Sequence, residues 1–280
     1  EFTMLLGDFH THSTLDDGKS TLEEMAAAAY DFGVTHFGFS GHSFEEYGQD
    51  FCLPKKDVPI YLETARKLQE AYRGRMEVFV GMELDYFGEN PGGLDYVIGS
   101  VHCVKQGDAA CYVDESAQAS QRAVDEYFGG DWYRYTDAYY DLVADLPRKT
   151  GCQWIGHFDL VTKFNEQAHT IDEDSPRYLR RALEAMEYLV KQGVAFEINT
   201  GAVARGYRTT PYPGNALLRQ LKEFGGEIIV NSDCHYAPQL CFGFDQAAEL
   251  AQAAGFTHTN LWTRDGLRPV SWDEFGKGRE

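Results

Sequence analysis

The chain has 280 residues, 43% of them hydrophobic and 14% aromatic, enough to bury the core of one large α/β domain or two small ones. Its 44 acidic side chains against 25 basic ones leave a formal net charge of −19, which argues against a protein that wraps a nucleic-acid backbone. No apolar run is long enough to span a membrane and nothing resembles a secretory signal, so a membrane partner is not expected either.

Glu1-Phe2-Thr3 ahead of Met4 read as a cloning remnant, and the fold is expected from residue 4 onward as one domain over 4–280. "MLLGDFH" reads as a first strand and "STLEEMAAAAYDFG" as a helix, with Ser20 or Thr21 as N-cap and Gly33 as stop. "THFGFSGH" is a second strand, "PIYLETARKLQEAYRG" a helix, "MEVFVGMELD" a third strand and "DYVIGSVH" a fourth. Residues 114–150 read as helices around a Gly129-Gly130 break. "CQWIGH" is a fifth strand, and "SPRYLRRALEAMEYLVKQG" a long helix with Pro176 in its first turn. "VAFEINT" is a sixth strand, "NALLRQLKEFG" a helix, "EIIVNSDCH" a seventh strand and "DQAAELAQAAG" a last helix before a short strand at "HTNLW". Strands alternating with helices imply a mainly parallel sheet. Seven or eight such units in this length point to a closed barrel, with a doubly wound open sheet as the alternative.

Ionisable residues gather where these strands end. "GDFHTHSTLDDG" carries His10 and His12, which alternate with Asp8 onto one face of a strand, and Asp17 just beyond. The later strands end at His42, Glu83, His102, His157, Asn199-Thr200 and the pair Asp233 and His235. Only His36, His169 and His258 lie elsewhere. One histidine after a strand is ordinarily a satisfied polar residue; six such endings in succession are not, because packing alone calls for Val, Ile and Leu. In a parallel barrel these ends share one rim, where active sites are built. Nine nitrogen and oxygen donors exceed the needs of one tetrahedral ion and fit two or three. Imidazole mixed with carboxylate suits Zn, Mn or Fe, and Glu83 or Asp233 could bridge two ions. Such ions lower the pKa of bound water toward about 7 and clamp phosphoryl oxygens, which predicts hydrolysis of a phosphoester. The six cysteines include no CxxC pair and read as free thiols of a reducing cytoplasm. Cys103 and Cys234 stand beside candidate ligands, but alternation points them away, and they are expected to be structural.

The series "DFHTHSTLDDG", "SGHS", "GMELD", "GSVH", "GHFDL" and "NSDCH" resembles, in order, the motifs of the PHP (polymerase and histidinol phosphatase) family over residues 8–235. The resemblance implies a distorted (β/α)7 TIM-like barrel, the PHP fold, with a trinuclear centre held by His10, His12, Asp17, His42, Glu83, His102, His157, Asp233 and His235. It groups His10, His12, Glu83 and Asp233 on one ion, Asp17, His42 and His235 on a second, and Glu83, His102 and His157 on the third. Within the family, "YDFGVTHFGFSGHS", "WIGHFDLVTKFN" and "FEINTGAVARGYRTTPYP" resemble the histidinol-phosphate phosphatases, implying hydrolysis of L-histidinol phosphate to L-histidinol and phosphate in histidine biosynthesis. That likeness makes Arg205 a clamp on the substrate phosphate, with Lys163 a second phosphate candidate. Asp159 is the candidate for protonating the leaving alkoxide or holding the substrate's polar groups, and His235 doubles as ligand and catalytic residue. Gly41 stands where family members often carry an acidic residue, which bears on the surroundings of His42, and Cys234 replaces a frequent Ala.

The acidic segment 104–135, with Asp108, Asp114, Glu115 and Asp125, is a possible lid over the substrate's ammonium or imidazole. Other small phosphate esters, nucleotides or DNA ends are the nearest alternative substrates. A metal-dependent amidohydrolase also uses HxH on its first strand, but it would want a bridging lysine where Glu83 and His102 stand. The outer helices carry no sign of whether they meet a second copy of the chain.

Overall fold

A computed structural model describes residues 4–48, 50–276 and 278 of the chain. The three residues read as a cloning remnant lie outside the described residues. Seven parallel strands follow one another in chain order around a curled sheet: β1 (Gly7–Asp8), β2 (His36–Phe39), β3 (Glu77–Asp85), β4 (Tyr96–Ser100), β7 (Trp154–Ile155), β8 (Ala195–Asn199) and β9 (Ile228–Asn231). An open doubly wound sheet would reverse its order at a switch point; this one does not. Past its last ladder, β1 meets β9: His12 N donates to Cys234 O at 2.8 Å and Cys234 N to His10 O at 3.0 Å. The rim that carries the ionisable residues is thereby closed.

Helices cover the outside, as the periodicity predicts: α1 (Leu22–Phe32), α2 (Val58–Ala71), α3 (Ala117–Tyr127), α4 (Trp132–Thr150), then after β7 the short α5 (Asn165–Ala168), α6 (Pro176–Lys191), the short α7 (Gly201–Ala204), α8 (Asn215–Glu223) and α9 (Phe244–Ala253). Thr21 is the N-cap of α1 and forms a full capping box with Glu24. Gly129 and Gly130, both at positive φ, separate α3 from α4.

Two hairpins depart from the expected elements. Cys103–Gln106 (β5) and Ala109–Tyr112 (β6) pair antiparallel across a two-residue Gly-Asp turn, so the first part of the expected lid is a β-ribbon. The strand expected at "HTNLW" extends over His258–Thr263 (β10), parallel to β9, and turns back as Gly266–Ser271 (β11).

Below the rim the barrel is filled by aromatic rings. Phe9, Tyr96 and Trp154 are fully buried, and Tyr96 stacks on Trp154 with centroids 4.9 Å apart. Tyr96 Oη lies 2.5 Å from Phe9 O and 2.9 Å from Phe39 O, tying the floor of the site to two strands. Gly38 and Gly81 make room for that ring, since a Cβ at either would run into it.

Candidate metal centre

The nine sequence-predicted donors come together at the closed rim. His10 and His12 follow β1, His42 follows β2 and bridges to Glu83 of β3, His102 follows β4, His157 follows β7, and Asp233 and His235 follow β9. Asp233 adopts a left-handed backbone, φ 51°, rare for a residue with a side chain. That turn brings Oδ1 to 3.5 Å from His10 Nε2 and 3.2 Å from His12 Nε2.

Glu83 is the centre of the arrangement. Its Oε2 lies 3.0 Å from His10 Nε2, 3.4 Å from His12 Nε2 and 3.1 Å from His42 Nδ1. Its Oε1 lies 2.9 Å from His157 Nε2 and 3.3 Å from His102 Nε2. On the outer side, Asp17 Oδ1 is 3.1 Å from His235 Nε2 and 3.6 Å from His42 Nε2. Donors bonded at about 2.1 Å to a tetrahedral ion stand roughly 3.4 Å from one another, the spacing found here. The Nε2 atoms of His10 and His12 and Oε2 of Glu83 are buried and make no hydrogen bond despite this proximity. They converge on a common point instead of aiming at each other, as donors to a shared ion do. The residues present fit divalent metal. They form overlapping clusters, one of which joins His12 to Asp17, His42 and His235.

Three carboxylates orient the imidazoles from behind, and the sequence reading gave none of them a role. Glu197 of β8 lies 2.9 Å and 3.0 Å from His10 Nδ1 through its two oxygens. Asp16 Oδ2 lies 2.7 Å from His12 Nδ1. Asp85 Oδ2 lies 3.0 Å from His102 Nδ1. Each holds one ring nitrogen as the hydrogen-bonded one and leaves the other facing the cluster, free for a metal. Burial opposes ionisation of Glu197, yet the adjacent His10 and its hydrogen bonds hold the carboxyl below the usual range. A glutamate inside the apolar strand "AFEIN", and aspartates two residues after Glu83 and four after His12, were the available signals. Asp8 stays outside the cluster: it accepts from Ser232 N and Cys241 N, each at 3.0 Å.

Above the donors lies a cavity of about 210 Å3, walled in part by Arg205, Lys163, Tyr207 and Tyr212. It adjoins a wider one of about 610 Å3 whose walls include Phe51, Tyr112, Asp114 and Glu115. Arg205 donates through Nη1 to Asp233 O at 2.8 Å and through Nη2 to Asp233 Oδ2 at 3.3 Å. Lys163 Nζ donates to Asp114 O at 3.1 Å and lies 4.6 Å from the centre of the Tyr207 ring. Asp159 is fully buried, accepts Gly214 N–H at 2.9 Å, and is not among the residues that wall either cavity. Burial pushes its carboxyl up. All six cysteines, Cys103 and Cys234 included, are buried free thiols, and no helix among the described residues is long and apolar enough to cross a membrane.

The family model described as PHP domain matches residues 8–201. A Deinococcus radiodurans protein named "Probable histidinol-phosphatase" is 30% identical over 270 residues, covering 91% of this chain and 96% of its own. A Schizosaccharomyces pombe protein of the same name is 27% identical over 271 residues, 90% of this chain and 85% of its own. In shape the chain is similar to the histidinol phosphate phosphatase of Lactococcus lactis, solved with zinc, L-histidinol and phosphate. The TM-score is 0.70 at 22% identity, over 94% of this chain and 99% of that one.

Proposed function

This chain belongs to the PHP domain family, and from that premise we propose that it hydrolyses L-histidinol phosphate to L-histidinol and inorganic phosphate with two or three divalent ions. The observation that carries the reading is the convergence of nine donor side chains at the rim, five of them histidines within 3.4 Å of the two oxygens of Glu83, beneath a cleft that holds Arg205 and Lys163. Zinc accompanies histidinol and phosphate in the Lactococcus lactis relative, and the imidazole–carboxylate donor set also suits Mn and Fe.

His10, His12, Glu83 and Asp233 would hold one ion, Asp17, His42 and His235 a second, and Glu83, His102 and His157 a third. Divalent ions there supply an activated water at neutral pH and charge to match the phosphoryl oxygens. Arg205 stands at the cleft wall with its guanidinium already oriented by Asp233, so a phosphate entering the cleft meets a pre-placed fork of N–H donors. Lys163, in the loop after β7, adds a point charge. Asp159, one residue beyond Phe158 and buried against Gly214, supports the loop that carries His157; a protonating role for it would need the loop to bring its carboxyl into the cleft. His235 sits at the outer edge of the donors, 19% exposed, where it can meet the leaving group.

The test is phosphate release by metal-analysed protein on L-histidinol phosphate beside nucleotides, sugar phosphates and an aryl phosphate, with Arg205→Ala and His157→Ala as controls. A kcat/KM for histidinol phosphate about a hundredfold above the panel, lost in both variants, is the expected result. Comparable weak rates across the panel would retain a metal hydrolase and overturn the substrate.

A further inference from the structure

β8 delivers no metal donor to the rim, and the residue that closes on its end is Tyr212, the tyrosine of the "TTPYP" run. Two backbone hydrogen bonds fasten it there: Asn199 N donates to Tyr212 O at 2.8 Å and Tyr212 N to Asn199 O at 3.0 Å. The side chain walls the inner cavity together with Arg205 and Lys163. Its ring lies edge-on to that of His157, centroids 6.2 Å apart at 71°. Arg205 is bonded to Asp233 and lies 3.1 Å from His235 Nδ1. Tyr212 and Arg205 therefore stand beside different members of the donor set.

The Tyr212 side chain is not explained by packing. It is 1% exposed, and its hydroxyl is buried without a hydrogen-bond partner. Buried hydroxyls ordinarily find one, because leaving water uncompensated is costly. Other fully buried tyrosines follow that rule: Tyr61 Oη donates to Gly81 O at 2.7 Å, Tyr139 Oη to Phe158 O at 3.0 Å, and Tyr140 and Tyr178 bond each other. Tyr135 shares the exception among the described residues, but it does not wall the inner cavity. Phenylalanine would fill the place of Tyr212 with no unmet polar atom. A cation also backs the ring. Arg208, itself buried, holds its guanidinium 4.8 Å from the ring centre and is anchored by Nη1, which donates to Thr162 Oγ1 at 2.7 Å. Positive charge over the face of a phenol draws density from the ring and strengthens its O–H as a donor to an anion.

We propose that Tyr212 is a further substrate-binding residue, whose hydroxyl donates a hydrogen bond to a phosphoryl oxygen of the ester in the inner cavity, beside the fork of Arg205. The inference rests on that cavity receiving the phosphate, as argued under the proposed function. A phosphoryl group brings the acceptor that the hydroxyl lacks. The phenol, protonated below about pH 10, offers a neutral donor at working pH. An unmet hydroxyl then destabilises the free protein and is satisfied on binding, as groups held under strain at functional sites are.

The experiment compares wild type with Tyr212→Phe and with Tyr140→Phe, a buried tyrosine that does not wall the cavity. The readouts are kcat and KM on L-histidinol phosphate and on an aryl phosphate, the inhibition constant of inorganic phosphate, zinc content and Tm. Tyr212→Phe should lower kcat/KM about ten- to hundredfold on both esters alike, since they share the phosphoryl group, and weaken phosphate inhibition by a similar factor. Zinc content should be unchanged, and Tm should stay level or rise, because the deleted hydroxyl had no partner. Tyr140→Phe should do the reverse, lowering Tm with kinetics unaltered. A loss confined to histidinol phosphate would put the hydroxyl on the leaving group, and kinetics within about twofold of wild type would mean that it touches no substrate; either overturns the proposal. So does a Tm lowered as far as in Tyr140→Phe, which would make the hydroxyl structural. Should Tyr212→Phe fail to fold, 3-fluorotyrosine at position 212 alone decides. Its fluorine resonance should move with inorganic phosphate and saturate over the range that inhibits; a resonance indifferent to phosphate overturns the contact. Wild-type protein that hydrolyses neither ester and is not inhibited by phosphate would defeat the phosphatase reading itself, a failure seen before any variant is compared.

Discussion

Four donors point at the carboxylate of Glu197. His10 Nδ1 stands 2.9 Å from Oε2; His157 N donates to Oε1 at 2.8 Å, Asn199 Nδ2 to Oε1 at 2.7 Å and Asn231 Nδ2 to Oε2 at 2.9 Å. Only an acceptor with two anionic oxygens serves all four. Glu197→Gln turns an N–H2 toward at least one of them and releases His10 from its tautomer. The expected outcome is a ten- to hundredfold weaker affinity for the ion at His10, read by chelator competition, with the other donors unaltered. Unchanged affinity would show that His10 is oriented by its metal alone. The contrast with the ligands explains what was legible at this scale. His10, His42, His102, His157 and Asp233 each end a strand, so a linear pattern exposes them. Glu197 acts on a histidine 187 residues away, and no spacing in the sequence joins the two. Asp16 and Asp85 were nearer to hand: one lies four residues from His12, the other two from Glu83 on the same alternating face.

Strand lengths show a similar division. The run "MLLGDFH" reads as seven residues of strand, but the ladder holds only Gly7–Asp8. Periodicity records that a stretch is extended and half apolar; it does not record whether its backbone bonds to a neighbouring backbone or to side chains. Here Phe9 N donates to Asn231 Oδ1 at 3.0 Å and Thr11 N to Ser40 Oγ at 2.8 Å, which frees the chain to bend as it delivers His10 and His12. The β5–β6 hairpin was legible and passed over, since a Gly-Asp pair between two alternating runs is a standard turn signal. The helices were read well because their apolar stripes are wide and their caps explicit. The α4–α6 contact adds a polar feature that no stripe reveals: Tyr140 and Tyr178, both fully buried, meet hydroxyl to hydroxyl at 2.6 Å. Tyr178→Phe leaves the Tyr140 hydroxyl buried without that partner and should cost about 1–3 kcal/mol in urea unfolding. Tyr140→Phe should cost a similar amount, and the double variant clearly less than the sum, because removing both hydroxyls removes the unmet demand. Strict additivity would mean that the two hydroxyls do not support each other.

Across the whole molecule the charge and the site are coupled. A chain of formal net charge −19 recruits a phosphate ester only if the sign of the field is reversed where the substrate lands. Asp17, Glu83, Asp114 and Asp233 place four of its carboxylates there, and Arg205 and Lys163 are the cations among the described residues that wall the inner cavity. Divalent ions are therefore needed twice, for chemistry and to offset the repulsion that the folded chain concentrates there. The donors run from His10 to His235 and draw on the ends of all seven strands from β1 to β9 of the curled sheet except β8, whose Glu197 holds His10 instead. An ion bound by them belongs to the native barrel and has no counterpart in the unfolded chain, so it stabilises by mass action: about 2.7 kcal/mol when free metal stands at a hundred times its dissociation constant. For a chain of this size that corresponds to roughly 5 °C in Tm. Exhaustive chelation should thus lower Tm by that amount while abolishing phosphate release, and zinc or manganese returned to the stripped protein should restore both together. Calorimetry with and without chelator reads the first, and phosphate release the second. A Tm indifferent to chelation, in protein shown to have held metal beforehand, would mean that the rim is rigid without its ions and that the carboxylate repulsion is absorbed by the histidines around Glu83.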